Sequence, residues 1–190
     1  MKTVRITIEG ITPLLMNRFT EENEIRISSG SAPATIGCKG TPREQAQKTA
    51  YIDNDGMLYV PGPNVFRCLI EAGKYIKVGK CKATTQKSSM IPAGISLQEI
   101  VLPFGTDNFE VDSRSVVIPS TGGRIMKHRA RLDEWKLTFT LDVDETMFDL
   151  RFVRQLTDDA GRRIGLGDFR PDRKGPFGKF KVINWQELAA

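Results

Sequence analysis

A chain of 190 residues is long enough for one well-packed core with sizeable loops, which makes a single domain over residues 1–190 the expectation. Its 28 Lys and Arg against 23 Asp and Glu leave a net charge of +5 and a pI near 9.2, so the expected partner is anionic, nucleic acid first. No run of about 18 apolar residues could span a bilayer, and Met1-Lys2-Thr3-Val4-Arg5 carries charge where a signal peptide would be apolar, so a cytoplasmic protein without a membrane partner is expected.

Thr3 to Glu9 alternates apolar with polar residues, the period-two pattern of a strand with one buried face. Gly10 and Pro13 end it, and a first insertion, near 18–56, begins with a stretch rich in Ser, Gly, Thr and charge. Unstructured loops of that length are uncommon in compact domains and often functional. Thr41-Pro42-Arg43-Glu44 then predicts a short helix to about Ala50, with a Thr cap, Pro at the first position and Glu reaching back to the cap. Asn54-Asp55-Gly56 is turn chemistry, and Met57 to Val60 is a brief strand-like run. Val65, Leu69, Ala72 and Ile76 place one apolar stripe on a helix ending near Lys77.

A second polar insertion covers 78–95, and Gln98 to Phe104 is the expected second core strand. A third, near 105–133, predicts a projecting hairpin: a strand over Arg114 to Ile118, a turn at Ser120-Thr121-Gly122-Gly123, and a return strand over Arg124 to Leu132. Trp135 to Leu141 alternates most clearly. Phe148, Phe152, Val153, Leu156 and Ala160 mark a second amphipathic helix ended by Gly161, and Phe177 to Ile183 alternates again. Without its insertions the order is strand, helix, strand, strand, helix, strand. The expected fold is α+β, a ferredoxin-like (RRM-like) β-α-β-β-α-β core with helices on one face.

Cys38, Cys68 and Cys81 have no C-x-x-C spacing and His128 is the only histidine, so neither disulfides nor a structural zinc site are expected, nor any other metal or cofactor. Cys68 falls on the apolar helical pattern and reads as a buried, inert thiol.

Two segments carry cations in a form suited to phosphates. Gly165, Gly167, Gly175 and Gly178 in the loop before the last strand would let backbone approach a ligand, with Arg170, Arg173, Lys174 and Lys179 beside them and Phe169 as a stacking ring. A solvated basic loop with turn glycines has the same composition, and the absent Gly-Lys-Ser/Thr ending excludes a P-loop. The hairpin brings Arg114, Arg124, Lys127, His128, Arg129 and Arg131, with no acidic residue between Ser113 and Leu132. Arg67, Lys74, Lys77, Lys80 and Lys82 add a basic helix face and loop.

On three of its segments the chain resembles the RAMP superfamily of CRISPR-associated RNA-binding proteins. The first strand leading into Ile11-Thr12-Pro13-Leu14-Leu15 is similar to that family's opening strand and turn. Tyr59-Val60-Pro61-Gly62-Pro63-Asn64-Val65-Phe66-Arg67 resembles its "IPGSSLKG" helix start, with Pro63-Asn64 for the serines and Phe66-Arg67 for Lys-Gly. The loop from Gly165 to Gly178 resembles its terminal glycine-rich loop. The resemblance implies an RRM-like core holding guide or other RNA in antiviral defence, as a repeated subunit or one member of a ribonucleoprotein, with the hairpin as a "thumb". Single-stranded RNA is thus the expected partner, with single-stranded DNA the alternative, as in a phage or mobile-element binding protein. A further alternative is an endoribonuclease centred on His128, whose neighbours Lys127 and Arg129 would stabilise a scissile phosphate. Against it, Glu21, Glu22 and Glu24 stand in the first insertion without an aspartate matching the family's cleavage site.

Overall fold

A computed structural model of the chain describes residues 1–19, 40–117 and 122–188. Its main sheet has four antiparallel strands: β1 (Lys2–Gly10), β6 (Ile95–Leu97), β10 (Lys136–Val143) and β11 (Phe180–Leu188), in the order β11-β1-β10-β6. Alternation decides its two faces. Val4, Ile6 and Ile8 of β1 and Leu137, Phe139, Leu141 and Val143 of β10 are buried together. They form one core with Val65, Cys68, Leu69 and Ala72 of α2 (Gly62–Ala72) and Val153 and Leu156 of α4 (Leu150–Asp159). The opposite face carries Thr3, Arg5, Thr7, Glu9, Thr138 and Asp142, tied by a Thr7–Thr138 hydroxyl bond of 3.0 Å and by Glu9 ion pairs with Lys136 and Lys181. It presents no aromatic ring on β1 or β10, so base stacking on the sheet has no platform there.

Local chemistry explains most boundaries. At α1 (Pro42–Thr49) the Thr41 hydroxyl accepts from Glu44 N–H while the Glu44 carboxylate accepts from Thr41 N–H at 2.7 Å, the reciprocal box expected from the sequence. The turn at Asn54-Asp55-Gly56 is built by Asp53, whose carboxylate accepts from the Asp55 and Met57 amides. Three expectations are corrected. The stripe through Ile76 does not extend α2, which stops at Ala72 and passes through a 3-10 turn, Gly73–Tyr75, into extended chain at Ile76. Gly161 does not end the second helix. A π-helical turn, Ala160–Ile164, continues to Gly165, and Gly161 is small because the Phe180 carbonyl lies where its Cβ would be.

The second core strand is also displaced. The strand in the main sheet is β6, while β7 (Val101–Pro103) pairs with β3 (Tyr59–Pro61) in a separate two-stranded ladder. Three residues are too few for the period of β6 to show in the sequence. The second insertion is likewise structured, with β4 (Lys77–Val78) paired to β5 (Cys81–Lys82) and a helical turn, α3 (Ile91–Gly94).

The hairpin forms as β8 (Glu110–Val117) and β9 (Arg124–Leu132), which extend from β2 (Leu14–Leu15) as a three-stranded sheet. Its expected turn lies partly outside the described residues, at 118–121, as do Glu21, Glu22, Glu24 and Cys38. Helix α1 covers one face of the ribbon's base: the Thr49 hydroxyl accepts from Ala130 N–H at 3.0 Å, and the Arg43 guanidinium lies 4.0 Å over the Phe109 ring.

Candidate nucleic-acid interface

Pairing alternation sorts the hairpin cations before any ligand is considered. Arg114 stands opposite Lys127, Asp112 opposite Arg129 and Glu110 opposite Arg131, so these six side chains share one face. Ser113 stands opposite His128, on the other face, and Nδ1 of His128 is 2.7 Å from the Ser113 hydroxyl. Lys127 and Arg129 therefore do not flank the imidazole in space, which corrects the expectation that they would assist it at a phosphate.

The basic face is turned toward the glycine-rich loop. The Arg129 guanidinium, buried with its residue 7% exposed, pairs with Asp168 of the loop at 2.7 Å. Arg114 lies 4.5 Å over the Phe177 ring while donating to both oxygens of Asp112. Arg131 pairs with Asp133. The single-sign ribbon of the sequence is thus locally neutralised by carboxylates from just outside it, at 112, 133 and 168. At Lys127 burial holds the ammonium below the ordinary range, repulsion from Arg129 adds to this, and Asp168 opposes it.

Ribbon and loop are joined through residues 11–16. The Asp168 amide donates to the Leu15 carbonyl at 2.8 Å, Gly178 to Pro13 at 2.8 Å, and Lys179 to the Thr12 hydroxyl at 2.9 Å, while Met16 donates to Ala130 of the ribbon at 2.9 Å. The loop glycines have their own reason for being glycine. A side chain at Gly167 would meet the Leu15 carbonyl, at Gly175 that of Phe169, and at Gly178, where φ is +70°, that of Leu166. Their close approach is to the chain itself. Phe169 (φ +49°) and Lys174 (φ +60°) adopt the left-handed conformation without being glycine, a costly state for a large residue.

A cleft of about 230 Å³ opens where β2, α2 and the loop meet, lined among others by Tyr51, Asn64, Arg67, Gly165, Gly167 and Arg170. Two of the three resembling segments, the helix start and the glycine-rich loop, therefore face each other across one cavity, and the opening segment supplies its floor at Leu14 and Leu15. Arg67 also pairs with Glu71, and Arg170 donates to the Gly167 carbonyl at 3.0 Å. Arg173 and Lys174 are exposed outside the cleft's lining, and Phe169 is 39% exposed beside Phe177, ring centres 6.1 Å apart. Arg124 sits at the start of β9, away from the cleft's lining. Tyr51 and Asn17 join the lining without any sequence signal, because neither lies on a periodic face.

The chain matches solved structures. One is a chain of the cryo-EM structure of the Type III-B Cmr-beta bound to cognate target RNA, at a TM-score of 0.54 and 10% sequence identity. The two share a fold. The likeness covers 98% of this chain, which spans only 60% of that one. No protein-family model and no curated protein matches the sequence.

Cys68 is buried as expected. Its thiol donates to the Gly165 carbonyl at 3.3 Å, and burial pushes its pKa well up. Among the described residues no group of His, Cys, Asp and Glu is placed to hold a metal ion, and no helix is long and apolar enough to cross a membrane.

Proposed function

We propose that this chain is a single domain that holds single-stranded nucleic acid, RNA first, by its backbone, as a repeated subunit of a CRISPR-type ribonucleoprotein complex. The observation that carries this reading is the convergence of the helix start, the glycine-rich loop and the basic ribbon on one surface, with Arg67 and Arg170 in one cleft. The sheet order β11-β1-β10-β6 suits a ferredoxin-like core with the ribbon inserted between its second and third strands. The matching Cmr-beta structure, bound to target RNA, supports the ligand class.

In this reading Arg67, Arg170, Arg173, Lys174, Lys179 and Lys127 meet phosphates, while Arg114 and Arg129 hold the ribbon against the loop and Arg131 is ion-paired with Asp133. Arg124 and His128 stand on the ribbon's opposite face and offer a separate contact. Fluorescence anisotropy with single-stranded RNA, without divalent metal, tests it. With about six phosphate contacts, a fourfold rise in salt lowers affinity by roughly 300-fold. Absent binding, or binding indifferent to salt, overturns the reading. RNA copurifying with the protein is the expected companion result, and copurifying single-stranded DNA would reassign the ligand.

A further inference from the structure

Between Glu71 and Glu99 the sequence holds five lysines, Lys74, Lys77, Lys80, Lys82 and Lys87, and no acidic residue. The fold gathers the middle three onto one small ribbon. Lys77 stands directly opposite Lys82 in the β4–β5 ladder, and Lys80 follows Gly79, whose φ of +61° opens the turn. Like charges directly opposite one another destabilise a ladder. A pair of only two residues has no hydrogen bonds to spare against that repulsion.

The ribbon is nevertheless firmly anchored. Ile76 and Ala83, at its two roots, are buried, and the Ala83 amide donates to Ile76 at 2.9 Å. Thr84 donates to Gly73 at 3.1 Å, Met90 to Ala83 at 2.9 Å, and the Thr84 and Ser89 hydroxyls are 2.7 Å apart. Lysines that could splay apart on a loose loop are therefore held together. Next to them Tyr75 is 51% exposed, its ring backed by the Arg163 guanidinium at 4.8 Å.

The patch is continuous with the cleft. Arg67 lines the cleft, and Glu71 is ion-paired to both Arg67 and Lys74, which places those two cations on one side of α2 and its 3-10 extension. Seven residues of helix separate them by about 10 Å. Lys74 alone of the five lysines has a carboxylate partner among the described residues.

We propose that the β4–β5 ribbon, with Tyr75, is a second phosphate-contact surface that takes the continuation of the single strand leaving the cleft along α2. This rests on the cleft being a single-strand site. A polyanionic backbone fits better than an acidic protein face, because lysine is depleted in protein–protein interfaces. An exposed ring beside cations also offers a base a stacking partner.

The triple variant Lys77→Gln/Lys80→Gln/Lys82→Gln tests the assignment against two single-stranded oligonucleotides, one of about 6 and one of about 20 nucleotides. The short one, sized for the cleft, binds variant and wild type alike. The long one binds the variant more weakly, with a salt slope shallower by about 2 for three lost contacts. The melting temperature of the variant is no lower than that of wild type, because repulsion has been removed. Acylation of the lysines, read by mass spectrometry, shows Lys77, Lys80 and Lys82 protected by the long oligonucleotide and not by the short one. An unchanged slope for the long oligonucleotide overturns the proposal, as does protection by poly-glutamate but not by nucleic acid. If wild type does not bind the short oligonucleotide at all, it is the cleft reading that fails.

Discussion

Arg129 of the ribbon and Asp168 of the glycine-rich loop form an ion pair that ties two distant segments of the chain, with Nε and Oδ2 2.7 Å apart. The arginine residue is 7% exposed, so removing its carboxylate leaves a buried charge without a counterion. Asp168→Asn is expected to cost about 2 kcal/mol, less than a fully buried pair because Asp168 retains some contact with water. Urea melts of Asp168→Asn, Arg129→Met and the double variant measure the coupling. A coupling energy above about 1 kcal/mol is expected, and additive losses would mean the two segments are held together by other contacts.

Lys174 and Gly178 separate the loop's electrostatics from its geometry. Lys174 sits at φ +60°, where glycine is at ease, so Lys174→Gly leaves stability unchanged or raised while removing a cation worth about 1 kcal/mol of binding. Gly178→Ala does the reverse. It drives a methyl group into the Leu166 carbonyl at a positive φ, and a stability loss of about 2 kcal/mol or more is expected. Thermal melts and affinities on both variants check the contrast. Wild-type affinity for Lys174→Gly would remove Lys174 from the contact surface.

The sequence was most informative where one local rule acts alone. The Thr41-to-Glu44 capping box, the turn at Asn54-Asp55-Gly56, the return strand over Arg124 to Leu132 and the alternation of β1 and β10 were all readable, because each is written within a few consecutive residues. β6 was not, since three residues, Ile95-Ser96-Leu97, carry no period. The neutralisation of the ribbon was not either. Asp168 meets Arg129 only after β2 and residues 11–13 bring the loop alongside, and no local pattern records that meeting. The cleft was half legible: Arg67 and Arg170 stood out as cations in glycine-bearing segments, whereas Tyr51 reaches it through tertiary packing alone.

Cys68 provides a pH dependence whose sign is fixed by burial. Its folded-state pKa is raised, so the folded protein keeps the thiol proton while the unfolded chain releases it above the ordinary value of 9.0. The contribution to stability is complete below that value. Above it, stability declines with rising pH by up to about 1.4 kcal/mol per unit. Denaturant melts at about pH 8 and about pH 10 are expected to show a shallower alkaline loss in Cys68→Ala than in wild type. Iodoacetamide modifies the exposed Cys81 and spares Cys68 in the folded protein. Equal alkaline losses in the two proteins would assign the effect to other groups.

For His128, the ribbon's alternation predicts contact without chemistry. Its Nδ1 is engaged by the Ser113 hydroxyl, and Lys127 and Arg129 project from the opposite face, so neither is placed beside it to stabilise a scissile phosphate. Labelled RNA incubated with wild type is expected to remain intact, and His128→Ala is expected to bind with at most a small loss. Cleavage by wild type that disappears in His128→Ala would make the protein a nuclease.

Phe169 offers the sharpest test of how bases are met. A bulky residue at φ +49° is costly to hold, yet the ring is 39% exposed and leans on Phe177, which is itself covered by the Arg114 guanidinium. Guanidinium and two rings thus form one cluster, the rings tilted by 37°, and the exposed part of the Phe169 ring is where a base would stack. Phe169→Ala is expected to cost about 1–3 kcal/mol of single-strand affinity. Phe169→Leu, which keeps apolar bulk but has no π face, loses nearly as much, and Phe169→Trp retains binding. Phe169→Gly relieves the backbone, so its melting temperature is no lower than that of Phe169→Ala although its affinity falls equally. Quenching of a fluorescent base analogue placed along the strand reports the contact directly and is expected to vanish in Phe169→Leu. If Phe169→Leu binds and quenches like wild type, the ring is packing against Phe177 and nothing more, and Tyr75 becomes the next exposed ring to test.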